Sequence, residues 1–317
     1  KISLFIILYL ISYSLILFSN NLFVLFLSYA LLGINSVFLV LNAGHDACHH
    51  TVFKKKKYND VVLLIFEMLG TSSYFWKNKH LLGHHNYPNI VELDSDLQQS
   101  VFVNFSGEKE NSQISRFQFY YLPIIYPFYL LRWIIYRDFK ELLMKKIGAF
   151  ENKSNKYYQA FKLIISKTFF FGYIIAVPHF IGNFTFFEII IGFLIFTLVG
   201  SFVTILALLS THVGESAVFP KLNSDNEIDH SWVFHQLATT SDFAPQNRVL
   251  NFLFGGFNNH VTHHLFPYIS HVHYPHISEL VESTAKEFNM PYNKFDSLSS
   301  ALYSHFKLLK NLHKELN

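Results

Sequence analysis

Four stretches of the chain are apolar for long enough to suggest membrane spans: 2–18, 22–43, 161–181 and 186–210. A helix needs about 20 apolar residues to cross a hydrocarbon core. The first two stretches are separated only by Ser19-Asn20-Asn21 and the last two by Gly182-Asn183-Phe184-Thr185, so the pattern predicts two helical hairpins. Two further apolar stretches are interrupted. Residues 61–75 include Glu67 and Gly70, and residues 119–136 include Pro123, Pro127 and Arg132, which predicts helices lying along the bilayer surface. The expected fold is an all-α integral membrane protein with four transmembrane helices in two hairpins and a helical cap built from 44–160 and 211–317. No Pro/Gly/Ser linker, low-complexity tract or internal repeat divides the chain, so 1–317 is read as one domain.

Composition sharpens the membrane reading. Hydrophobic residues make up 51% of the chain and charged residues 15%, against about a quarter charged in soluble domains. Neither hairpin turn contains Lys or Arg, whereas basic residues occupy 54–57, Lys77, Lys79, Arg132, Arg137, Lys140, Lys145 and Lys146. The positive-inside rule therefore places the cap in the cytoplasm. The first stretch lacks a small-residue cleavage site and is followed almost at once by a second, so it reads as a membrane anchor rather than a signal peptide. A net charge of +3 gives no reason to expect a nucleic-acid partner, and the basic run beside an apolar segment points to lipid headgroups. Cys48 is the only cysteine, which excludes an intramolecular disulfide framework; it reads as a small packing residue.

The chemistry lies in the histidines. Of 18 in the chain, nine fall into three spaced clusters and one isolated position: His45-Asp-Ala-Cys-His49, His80-Leu-Leu-Gly-His84-His85, His212, and His260-Val-Thr-His263-His264. Residues three or four apart share a helix face, so each cluster is expected to present its imidazoles in one direction as metal ligands. Nine exceed the four ligands of one tetrahedral zinc, and imidazole suits zinc, copper and iron alike; two metal ions are the economical reading. All nine also fall on the predicted cytoplasmic side, away from hydrocarbon where polar ligands are costly. His50, His179, His230, His235, His271, His273, His276, His305 and His313 lack the paired spacing and read mostly as surface or supporting groups.

The combined pattern HxxxH, HxxxHH and HxxHH, with intervening hairpins, resembles the membrane fatty acid desaturase superfamily. The likeness extends to Asn86-Tyr-Pro-Asn89 before Asp94-Ser-Asp96, to Trp232 with His235-Gln236 and Thr239-Thr240, to Gly255-Gly256-Phe-Asn258, and to Leu265-Phe266-Pro267. It is similar to the front-end, linoleoyl-CoA desaturase-like group of acyl-CoA and acyl-lipid desaturases. The resemblance implies a non-haem diiron centre, O2 as co-substrate, two electrons per turnover, and ligand roles for His45, His49, His80, His84, His85, His212, His260, His263 and His264. Two positions depart from the group's pattern: His260 stands where Gln is typical, and His50 follows the first box where Gly is common. The first leaves the position of the new double bond open.

Iron and oxygen suit the task, because no protein acid or base deprotonates an alkane and the cofactor must carry the hard step. Metal-bound imidazoles usually donate their outer N–H to an acceptor, and Asp46, Asp94, Asp96 and Glu215 are the candidates; Asp94 and Asp96 also suit turn capping. A fatty acyl-CoA or acyl-lipid substrate needs an apolar tunnel, for which the 36 Phe, 18 Tyr and three Trp offer material without singling out a residue. No Rossmann Gly-rich motif, four-cysteine cluster or His-Pro-Gly-Gly haem motif is present, so a separate donor of ferredoxin or cytochrome b5 type is expected. The first residue is Lys1 rather than Met, and a fused donor upstream stays compatible with this reading. The leading function is an oxygen-dependent fatty acyl desaturase. A hydroxylase on the same diiron scaffold is the alternative, and a membrane metal transporter or sensor is disfavoured because the spans hold almost no polar ligands.

Overall fold

Side-chain caps and π-turns set the boundaries of the long helices. In the computed structural model, which describes residues 1–97, 100, 102–107 and 112–315, the principal helices are α1 (Ile2–Phe18), α2 (Leu22–Leu39), α3 (Lys156–Phe171), α4 (Phe186–His212), α5 (Trp232–Thr239), α6 (Arg248–Phe254), α7 (His260–Leu265), α8 (Tyr274–Glu287) and α9 (Leu298–Glu315). Among the described residues, two short strand pairs accompany them. Strands β1 (Lys146–Ile147) and β2 (Phe150–Glu151) are antiparallel, and β3 (Ser241–Phe243) and β4 (Asn293–Phe295) are parallel. Asn21 caps α2 by accepting from the N–H groups of Phe23 and Val24 at 2.9 and 3.2 Å, and Asn155 caps α3 on Tyr157 and Tyr158 in the same way. Both satisfy donors that a helix start leaves open.

The chain forms two compact units, the first comprising Lys1–Phe75, Ile125–Met144 and Lys153–Ile205, the second Trp76–Ile124, Lys145–Asn152 and Leu206–Asn317. In the first, Ile16, Leu25, Tyr29, Leu32, Ile134 and Phe170 belong to one buried apolar cluster. Its helices approach closely: a Cβ on Gly33 of α2 would lie 2.5 Å from the Phe196 carbonyl oxygen of α4, so only glycine fits there. α3 continues through a π-turn at Gly172–Ala176, and two carbonyls of that turn accept from tyrosines. Tyr13 donates to the Tyr173 oxygen and Tyr29 to the Ile174 oxygen, both at 2.8 Å. Backbone groups released from the α-helical ladder thus stay paired within an apolar interior.

Among the described residues, three helical segments are long and apolar enough to cross a membrane: Leu22–Cys48, Lys156–Ile181 and Phe186–His212. α1 is apolar but has only 17 residues, a rise of about 25 Å against a hydrocarbon core of about 30 Å. The structure therefore shows three candidate spans where the apolar pattern predicted four. Neither interrupted stretch forms one continuous helix. Residues 61–75 break at Gly70, whose φ is +71°, and Glu67 accepts from the Ser73 N–H and hydroxyl across that turn. Residues 119–136 pass through a 3-10 turn at Tyr126–Phe128 and a π-turn beginning at Trp133.

Lys167 was hidden in the apolar run predicted as the third span. It is buried and donates to the Gly70 carbonyl at 2.9 Å, to the Ile134 carbonyl, and to the Asp138 carboxylate at 3.1 Å. Trp133 Nε1 donates to the other oxygen of Asp138 at 3.0 Å. This network fastens the two interrupted segments to α3.

The second unit places short helices around the second and third histidine boxes and His212. Gly255 and Gly256 both take positive φ, +60° and +76°, between α6 and α7. A Cβ on Gly256 would lie 2.8 Å from His271 Cβ, so the turn into the last box requires glycine for space as well as conformation. Leu237 of α5, Val261 of α7 and Ala285 of α8 form the small core behind that box.

Candidate metal centre

The second cluster does not present its histidines in one direction. The backbone forms a π-turn at His80–His84, with the His85 N–H donating to the His80 carbonyl at 3.0 Å. That five-residue step aligns His80 with His85 and turns His84 away. Box three divides as well, because His260 and His264 are one α-helical turn apart while His263 lies about 100° round the helix. The expectation of one shared face per cluster is corrected: each of these boxes serves two groups, and adjacent histidines diverge because neighbouring positions on a helix do not face each other.

One group lies wholly within the second unit. His84, His212, His260 and His264 are all buried and each offers a ring nitrogen within 4.8 Å of the others. The Nε2 atoms of His212 and His260 are 2.7 Å apart. Outward-facing nitrogens are held by the protein: His84 Nδ1 lies 3.0 Å from Asp94 Oδ2, His212 Nδ1 lies 3.2 Å from the Thr239 carbonyl, and His264 Nδ1 lies 2.8 Å from Gln236 Oε1. Since carbonyls and carboxylates accept, these Nδ1 atoms carry the protons and the Nε2 lone pairs face inward. His264 Nε2 is buried with no hydrogen-bond partner.

A second set in the same unit comprises His80, His85 and His263. His85 Nε2 lies 3.1 Å from His80 Nε2 and 3.0 Å from His263 Nε2. His80 Nδ1 stands 3.5 Å from Asp96 Oδ2, and His263 Nδ1 is 3.1 Å from the hydroxyl of buried Tyr274. In the first unit, His45 and His49 are buried one turn apart, their ring centroids 5.1 Å from each other. The π-turn Val40–Gly44 immediately precedes them.

Burial, aided by neighbouring imidazoles, pushes His260 and His264 well below the ordinary histidine pKa. Burial also lowers His80, although Asp96 opposes it. At His84 burial acts the same way but is outweighed by the charge and hydrogen bond of Asp94, and the net shift is upward. Neutral imidazoles with converging lone pairs repel one another unless a proton or a cation sits between them. The arrangement therefore fits a metal, which requires deprotonated inner nitrogens.

The four carboxylate candidates separate. Asp94 holds His84 and also accepts from the Asn89 and Asp96 N–H groups at 3.1 and 3.0 Å, so it fixes a turn and an imidazole together. Asp96 lies beside His80. Glu215 pairs instead with Lys307 at 2.7 Å in a partly exposed contact. Asp46 is buried, and its carbonyl accepts from the Thr51 N–H and hydroxyl. Sequence reasoning assigned no role to Gln236, Thr239 or Tyr274, which hold three of the imidazoles. The signals for the first two are their place in the His235-Gln236 and Thr239-Thr240 motifs and their polarity inside an apolar eight-residue helix. Among histidines read as surface or supporting groups, His235, His271 and His305 are buried; His235 Nε2 donates to the Pro88 carbonyl and His305 Nδ1 to that of Val213, at 3.0 and 2.8 Å. Cys48 is buried.

Comparison with known proteins agrees with this chemistry. The family profile described as fatty acid desaturase matches residues 20–296. The chain is 31% identical over 279 residues to the sn-1 linoleoyl-lipid 6-desaturase of Synechocystis sp., covering 86% of this chain and 76% of that one. It is 32% identical to the enzyme of the same name from Arthrospira platensis, covering 86% and 73%, and 27% identical to the acyl-lipid (8-3)-desaturase of Physcomitrium patens, covering 96% and 64%. Two groups of converging imidazoles, three helices able to cross a membrane and a match running through nearly all of the chain lead to one conclusion: the chain belongs to the fatty acid desaturase family, and it is a membrane oxidoreductase that desaturates fatty acyl chains.

Proposed function

We propose that the nine histidines His45, His49, His80, His84, His85, His212, His260, His263 and His264 hold two non-haem iron ions, and that the substrate is an acyl chain esterified in a membrane lipid. The observation that carries the iron reading is the convergence of buried ring nitrogens at 2.7–3.1 Å. Imidazole shells suit iron, and the family's reaction requires an oxidant of that strength. The lipid substrate is supported by the relatives named above, which act on acyl lipids.

When bound, iron with O2 supplies the oxidising power: one CH2–CH2 unit gives up two hydrogens, and these, two electrons from an external ferredoxin or cytochrome b5 type donor and two protons reduce O2 to two waters. The chain's own residues hold the site ready. Asp94, Gln236 and the Thr239 carbonyl keep the protons of His84, His264 and His212 on Nδ1 and so leave Nε2 for metal. Burial of every group excludes water from the reactive centre.

The same reading takes α1 as a fourth span, paired with α2 through the short uncharged turn at residues 19–21, and places the site on the cytoplasmic side. Lys and Arg, absent from both hairpin turns and frequent elsewhere, support that orientation. Residues 1–317 are read as one desaturase domain, supported by a family match that runs through both compact units.

The test is mass spectrometry of fatty acids, lipid class by lipid class, in a host expressing the chain with a donor. A new double bond in lipid-esterified chains is expected. A hydroxylated product, or product confined to acyl-CoA, overturns the corresponding part of the reading.

A further inference from the structure

Helix α7 carries three of the nine histidines in six residues, and they serve both groups: His263 on one side, His260 and His264 on the other. A small rotation of this helix would misplace ligands in both at once. One and a half turns cannot hold themselves, because the first N–H groups have no intrahelical partners and short helices are marginal alone. Its N-cap residue, Asn259, makes no side-chain cap bond.

The missing cap comes from β3. Asp242 is completely buried, and its Oδ1 accepts from the Val261 N–H at 2.8 Å. Its Oδ2 accepts from the Tyr292 hydroxyl at 2.6 Å. Tyr292 is delivered by the segment that enters β4, which pairs with β3 in the register Ser241↔Asn293, Asp242↔Lys294 and Phe243↔Phe295. Asn293 Nδ2 also donates to the Thr240 carbonyl at 3.2 Å, just beyond α5, whose Gln236 and Thr239 hold His264 and His212. One C-terminal segment thus reaches both Asp242 and the end of α5. A buried carboxyl group is expensive to keep, and here its two oxygens are taken up by the Val261 N–H and the Tyr292 hydroxyl.

We propose that Asp242 and Tyr292 are positioning residues that set the angle at which α7 presents His260, His263 and His264. The inference rests on the two-metal reading of the histidines.

The experiment uses the full chain purified in lipid nanodiscs, stripped of metal and titrated with cobalt(II), whose visible absorption reports ligand geometry without turnover. The variants are Asp242→Asn, Asp242→Ala and Tyr292→Phe. Ala285→Gly, a cavity and helix-propensity defect in the same small core, controls for lost stability. Asp242→Ala is expected to shift the absorption band and weaken cobalt binding at least about tenfold, the range for removing a support behind a metal ligand. Asp242→Asn keeps an oxygen that can accept from Val261 and should restore the wild-type band. Tyr292→Phe loses one hydrogen bond and should weaken binding about fivefold, and the control should lower the melting temperature with its spectrum unchanged. Wild-type cobalt binding and spectrum in Asp242→Ala or in Tyr292→Phe overturns the proposal while leaving the metal reading intact. So does failure of Asp242→Asn to recover. Should Asp242→Ala not fold, the Asn and Phe variants decide. Absence of cobalt binding by the wild-type chain is the distinct outcome that overturns the two-metal reading and this inference with it.

Discussion

Two buried polar networks in this protein solve opposite problems. Around Lys167 in the first unit, one ammonium meets one carboxylate and two carbonyls, and Trp133 meets the remaining carboxylate oxygen; donors face acceptors throughout. Around His212 and His264 in the second, buried ring nitrogens converge on one another, and carbonyl or carboxylate partners hold the outer edges of three rings at Asp94, Gln236 and Thr239. Burying polar groups is costly unless they are paired. The first network is complete within the chain and acts as a fastener, whereas the second leaves His264 Nε2 buried without a partner and could hold a metal ion. A buried cluster lacking its counterpart is the signature that separates a binding site from an internal brace.

The comparison predicts different consequences of breaking each. The largest effect is expected in the second unit, where His84→Ala and His263→Ala each remove one ligand from a different group. Turnover should be lost in both, with iron per chain falling from about two toward about one and the protein still inserted in membrane; metal analysis and product mass spectrometry check this. Retained turnover in either variant breaks the assignment.

In the first unit, Lys167→Met should cost about 3–5 kcal/mol, because it leaves Asp138 buried without its cation. Pairing it with Asp138→Leu should recover much of the loss, read as the shift of the thermal unfolding midpoint. Iron per folded chain should stay unchanged in both variants. A drop in iron would erase the distinction between brace and site.

A smaller effect concerns pH. His305 is buried, with Nδ1 donating to the Val213 carbonyl, and burial lowers its pKa to about 4. An unfolded chain protonates this imidazole near 6.5 while the folded chain resists. Stability is therefore full above about pH 6.5 and falls as pH drops from there toward 4, by about 3 kcal/mol at most. His305→Gln should flatten that part of the stability profile; an unchanged profile would remove His305 as its cause.

The smallest effect is expected at His313, partly exposed and bonded to the Arg116 carbonyl. His313→Ala should change stability by no more than about 1 kcal/mol and leave metal content untouched. Loss of iron there would mean that spacing is a poor guide to which histidines matter.

The sequence by itself determined the helical class, the apolar runs and the nine clustered histidines. Each of these is written in local periodicity and spacing, where one residue type or one helical turn is enough to read it. Tertiary structure alone decided how the second box divides, because the π-turn at His80–His84 depends on backbone pairing that spacing does not encode, whereas the division of the third box follows from regular helical spacing. Tertiary structure also decided which polar groups support the histidines. Gln236, Tyr274 and Asp242 lie 28, 11 and 19 residues from the atoms they hold, and Lys167 finds Gly70 across 97 residues. Such partners are chosen by the cost of leaving a buried donor or acceptor unmade, a cost that exists only after the chain has closed around it.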